Sequence, residues 1–186
     1  MGNLVTETLK QRRSIRFYKD TPVEQEKLDE ILECGTMSPN GKGMQAWHFT
    51  VVRDRGLLDE ISEANRQLML ASGNPGEIEK ASEPGFDCFR TAPMAIILSG
   101  DTASPYYVQD CAISAMAMAV AAESLGLNTC YVVSFSKVLL MEEGRDYIQR
   151  LGIPEGHVPV CALCMGYRSK EPNPRKPRKN AVNYVD

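Results

Sequence analysis

Residues 110–134 read DCAISAMAMAVAAESLGLNTCYVVS. From Asp110 to Leu125 the residues are apolar or small almost all round a helix, and Gly126 ends it. Such a helix must be buried, because it offers water no polar face. Thr129–Ser134 (TCYVVS) then reads as a strand. Ala112, Ser114, Ala115, Ala117, Ala119, Ala121 and Ala122 let another helix approach closely. Two kinds of burial fit that pattern: the core of one domain, or a subunit interface.

The alternation extends outward in both directions. Upstream, Pro93–Ser99 (PMAIILS) is an apolar strand of the kind covered on both faces. A helix is predicted from Leu57 to Ala71, with Leu58, Ile61, Ala64 and Leu68 at helical spacing. Ala46–Val52 reads as a strand. Thr21-Pro22-Val23-Glu24 has the form of a capping box with proline at the first helical position. The helix behind it carries Leu28, Ile31 and Leu32 and ends at Gly35. Residues 3–12 form a short helix. Residues 36–45 and 72–87 read as loops. Downstream, Ser136 can cap a helix running to Leu151, and Val158–Gly166 is the last core strand. No repeat and no linker divides the chain, so residues 1–186 are expected to form one α/β or α+β domain.

Composition excludes several classes. The chain has 186 residues, 43% hydrophobic and 24% charged, with net charge −3. Disorder and a collagen-like chain are both ruled out. No apolar run is long enough for a membrane span, and the first residues have no secretory pattern. The six cysteines then point to a cytoplasmic protein with reduced thiols. The net charge hides an uneven distribution. Residues 1–20 carry five positive and two negative charges, and residues 168–179 carry six positive and one negative. An acidic body therefore has two basic ends. Either these are solvated tails, or they meet at one anion. In the second case Arg12, Arg13, Ser14 and Arg16 with Arg175, Lys176 and Arg178 hold a phosphate, which the arginine fork suits. With no large basic surface around these clusters and few aromatics, nucleic acid is not the expected partner.

Side chains for independent catalysis are scarce. His48 and His157 lie in no metal-binding spacing. Cys161 and Cys164 form a CxxC, but on a predicted strand, where they point to opposite faces. No dinucleotide fingerprint, Walker loop or serine elbow occurs. A chain of this kind binds something or takes its chemistry from a cofactor.

Four segments, in order, resemble the FMN-dependent nitroreductase family. Arg12-Arg13-Ser14-Ile15-Arg16 resembles its RRSxR opening. Ser38–Phe49 (SPNGKGMQAWHF) resembles the small-residue loop that runs into QPWxF. Glu123–Cys130 resembles the family's helix end and following strand. Gly166-Tyr167 with Lys176-Pro177-Arg178 resembles the GYP…KPRxP ending. The resemblance implies an α+β fold, a three-layer α/β/α sandwich with a mixed sheet flanked by helices. It also implies an obligate homodimer with FMN at the subunit interface. By position, Arg12 and Ser14 would contact phosphate or ribityl, with Arg13 assisting, while Lys176 and Arg178 close from the other end. Arg16 would reach the pyrimidine edge, where a cation suits the charge of reduced flavin. Asn40, Gly43, Met44 and Gln45 would line the ring, and backbone amides near Val133 and Ser134 would face N5. Two positions depart from the pattern: Gly43 stands for an asparagine, and Ala46 for a proline.

The implied activity is an oxidoreductase in which NADH or NADPH reduces FMN. FMN then reduces a nitroaromatic, a quinone or another flavin, by a ping-pong mechanism. No metal and no catalytic side chain is expected; the flavin carries the chemistry. Segment 72–90 is a candidate lid, with Phe86 and Phe89 stacking on substrate, or else a plain surface loop. Three alternatives stand beside this reading. They are a specialised branch such as a reductive dehalogenase, a flavin carrier or regulator with little turnover, and a binder of nucleic acid or another anionic ligand through the basic ends.

Overall fold

The computed structural model describes residues 2–179 and 181–185. Its strands are β1 (Trp47–Val52), β2 (Met94–Asp101), β3 (Asn128–Val132) and β4 (His157–Gly166). They form one sheet in the order β1-β2-β4-β3. All three ladders are antiparallel. The expected mixing of directions reduces to a single parallel bridge, between Ser14 and Thr129.

Helices cover both faces, which explains the unbroken apolar run of β2. On one side lie α3 (Arg55–Leu70), α6 (Ser136–Leu139) and α7 (Arg145–Arg150). Leu58, Ile61, Phe89 and Phe135 meet Ala95, Ile97, Ala162 and Cys164 there. On the other side lie α2 (Gln25–Thr36) and α5 (Tyr107–Ser124). Their Ile31, Met118 and Ala122 meet Ile96, Leu98, Cys161 and Leu163. This is the three-layer sandwich. Cys161 and Cys164 sit in different cores, as strand alternation requires. Helices α2 and α5 pack closely at Gly35, whose carbonyl accepts the Ser114 hydroxyl at 2.8 Å. A side chain at Gly35 would overlap Met118.

Five expectations need correction. Within one chain α5 is buried on one side only. Ile113 and Met116 stay 43% and 42% exposed, so an apolar stripe faces outward. The capping box at residues 21–24 does not form. The Glu24 carboxylate instead accepts the Tyr167 hydroxyl at 2.8 and 2.5 Å and pairs with Lys27, leaving α2 with no side-chain cap. The helix expected from Ser136 to Leu151 breaks into α6, a 3₁₀ turn (Glu142–Gly144) and α7. Gly144 packs onto the Val138 carbonyl, where no straight helix can pass. The expected loop 72–87 contains a helix, α4 (Pro75–Ala81), capped by the Asn74 side chain on Gly76 N and Glu77 N. Strand β3 also ends at Val132, leaving Val133 and Ser134 in the turn beyond it.

Candidate functional site

The two basic ends meet. Arg12, Arg13, Ser14 and Arg16 line one side of a cleft of about 400 Å³, and Arg175, Lys176 and Arg178 line the other. Helix α1 (Leu4–Gln11) delivers the first group, with Arg12 as its C-terminal cap. Ser14 then bridges to the β3 edge of the sheet at Thr129. Arg175 straps the tail down. Its Nη2 donates to the carbonyls of Lys10 at 2.6 Å and Arg12 at 2.9 Å. A guanidinium on the last carbonyls of a helix satisfies groups that the helix leaves open. Arg13 Nη2 returns the contact by donating to the Asn173 carbonyl at 2.6 Å.

No carboxylate pairs with a cleft cation among the described ion pairs, which all lie elsewhere. The cations therefore repel one another. Partial burial, and then Arg13, Arg178 and Arg12, lower the Arg175 pKa from its usual value. Among the described residues Arg12 Nε is buried with no hydrogen-bond partner. An array like this is completed by an anion with several acceptor oxygens.

A further cation belongs to this surround, and sequence reading missed it. Arg90 Nε is also buried without a partner. Arg90 and Thr91 both adopt left-handed backbone, with φ of 61° and 54°. Asp87 winds this turn. Its carboxylate accepts Phe89 N at 2.7 Å and Thr91 N at 2.6 Å, and pairs with Arg55 at 2.5 Å. The turn brings Arg90 beside Cys130, which Arg16 and Arg12 also influence. Burial pushes that thiol up, while Arg16, Arg90 and Arg12 pull it back. The only signal in sequence was an arginine just before a buried strand.

The loop at residues 40–45 lies elsewhere. It enters β1, one edge of the sheet, whereas the cleft borders β3, the other edge. Three strand spacings of ~4.8 Å separate these edges. One chain therefore does not bring Asn40, Gly43, Met44 and Gln45 to the basic residues. Gly43, Met44 and Gln45 are exposed. Asn40 is occupied within the loop, where its Oδ1 accepts Gln45 N at 2.9 Å. Val133 is exposed and Ser134 half-buried, just past the β3 edge. Phe86 is half-buried. Phe89 is 0% exposed, with its ring 5.4 Å from Phe135. It is a core residue, so it cannot stack on an incoming molecule without unpacking the core.

Fold and cleft together define a small α+β protein with a cation-lined cleft at a sheet edge. The sequence pattern of the Nitroreductase family matches residues 9–167. The chain belongs to that family. It superposes with a TM-score of 0.92 on a nitroreductase with bound FMN from Bacteroides fragilis, at 28% identity over 100% of both chains. A nitroreductase with bound FMN from Desulfitobacterium hafniense gives 0.92 at 26% identity, again over 100% of both chains. An FMN reductase [NAD(P)H] from Bacillus subtilis is 30% identical, with 99% of this chain and 74% of that one covered.

Proposed function

We propose that this protein is an FMN-dependent oxidoreductase. It takes electrons from NADH or NADPH and passes them to a small planar acceptor such as a nitroaromatic, a quinone or a flavin. The observation that carries this is the cleft of unpaired cations with the orphaned Arg12 Nε, in a chain that superposes on FMN-bound nitroreductases. The residues fit the cofactor at its phosphate end. Arg12, Ser14, Lys176 and Arg178 hold the phosphate, with Arg13 assisting. Arg16 provides a cation toward the pyrimidine edge. When bound, FMN supplies two-electron chemistry that no side chain in this sequence offers.

Loop 40–45, which the resemblance assigns to the isoalloxazine ring, lies at the opposite sheet edge. A second copy of the chain supplies that loop in our reading. Asn40, Gly43, Met44 and Gln45 of one protomer then face the cleft of the other, while Val133 and Ser134 offer backbone amides. The outward stripe of Ile113 and Met116 on α5 supports a homodimer. One shared site would serve donor and acceptor in turn, giving ping-pong kinetics. Phe86, on the half-buried segment before β2, is the residue left to meet the acceptor. Six unpaired thiols suit the reducing cytoplasm.

The test is an absorbance spectrum of the purified protein before and after anaerobic addition of NADH or NADPH. Flavin bands that bleach support the proposal. Bands that persist turn the reading toward a carrier. Absence of flavin, with no binding of added FMN, overturns it.

A further inference from the structure

Asp110 is a buried acid with no role in the cleft. It lies in the first turn of α5 and is 2% exposed. An acidic group there suits the positive end of the helix dipole. Its Oδ1 accepts Gly41 N at 3.0 Å, across a gap of 69 residues. Its Oδ2 is buried with no partner. Burying a carboxylate with one oxygen unsatisfied is unfavourable, so the contact it does make is worth explaining.

The contact fixes an unusual loop. Lys42 has φ of 55°, Gly43 of 68° and Gln45 of 48°. Left-handed backbone at two non-glycine residues persists only where the surroundings impose it. Two anchors do so here: Asp110 holds the start of the loop at Gly41 N, and Asn40 Oδ1 holds its end at Gln45 N, at 2.9 Å. Gly41 is required as well, because a Cβ there would overlap the Tyr106 ring. Loop and helix start are thus clamped together, with Gly43, Met44 and Gln45 held outward.

We propose that Asp110 is a positioning residue. From the N-terminus of α5 it holds loop 41–45 in the one conformation that receives the flavin ring. The effect on flavin rests on the function proposed above; the effect on the loop does not.

The test compares wild type with Asp110→Asn and Asp110→Ala, and with Asn40→Ala at the second anchor. Lys42 is exposed within the loop, so trypsin reports its order in flavin-free protein. Cleavage after Lys42 should be on the order of tenfold faster in Asp110→Ala and Asn40→Ala. Asp110→Asn keeps an acceptor oxygen for Gly41 N and should stay near the wild-type rate. The same order should appear in FMN affinity by fluorescence titration and in the flavin midpoint potential. Equal cleavage in all four proteins overturns the proposal. So does an equal fall in melting temperature and FMN affinity for Asp110→Asn and Asp110→Ala, which would mark a purely structural acid. If Asp110→Ala does not fold, Asn40→Ala and Asp110→Asn carry the comparison. If trypsin separates the variants but no protein binds FMN, loop control stands and the flavin reading falls.

Discussion

Replacing Arg12 with alanine isolates the cleft's proposed work on a phosphate. The perturbation is clean, because Arg175 holds the Arg12 carbonyl and not its side chain. The tail strap therefore survives Arg12→Ala. What is lost is a guanidinium whose Nε is buried and unpartnered. A hydrogen bond to a charged group is worth about 1.5–3 kcal/mol. At ~1.4 kcal/mol per decade, FMN should bind on the order of 10- to 150-fold more weakly. Arg12→Lys keeps the charge without the planar fork and should fall between wild type and alanine. The assay is quenching of flavin fluorescence on titration of flavin-free protein, at one low salt concentration. Riboflavin lacks the phosphate, so its affinity should not respond to the substitution. Arg66→Ala is the control, since Arg66 pairs with Glu63 on α3. An Arg12→Ala protein that binds FMN within twofold of wild type would refute the phosphate assignment. An equal loss for riboflavin would refute it as well.

Three other outcomes are expected. Phe89→Ala should lower stability by ~3–5 kcal/mol in urea denaturation, because a fully buried ring against Phe135 leaves a cavity; a change in acceptor KM at unchanged stability would contradict the core assignment. Stability should fall as pH rises above about 9. Burial pushes the Cys88, Cys111 and Cys161 thiols up to about 12, so the unfolded chain, with thiols near ~8.5, loses its protons first; urea midpoints at pH 8 and 10.5 measure this, and Cys161→Ala should flatten the fall. Met116→Glu should shift sedimentation of the FMN-loaded protein from dimer toward monomer, since it places a charge in the outward stripe of α5; an unchanged dimer would move the interface elsewhere.

The layers were readable because their signals are local. The apolar run of β2 follows directly from burial between two helical layers, and the inner face of α5 from packing on the sheet. The misreadings have different causes. Glu24 had the spacing for a capping box, but Tyr167, far along the chain, claims its carboxylate. The helix read from Ser136 to Leu151 is broken at Gly144, where a Cβ would overlap the Val138 carbonyl. Helix α4 was hidden by the glycine and proline around Asn74, although that asparagine is the cap that starts it. In the site, charge counting left two readings open, solvated tails or ends that meet, and the cleft brings the ends together. Arg90 was invisible, because its aim depends on a turn wound around Asp87.

The strand order has a genetic consequence. Cleft and ring loop hang from opposite edges of the sheet, so in the proposed dimer every site is half one chain and half the other. A chain damaged in the cleft and a chain damaged in the loop are each inactive alone. Paired with each other, they concentrate both lesions in one site and leave the second site whole. Two defective alleles expressed in the same cell would therefore complement, each mixed dimer recovering up to half the activity of a wild-type dimer.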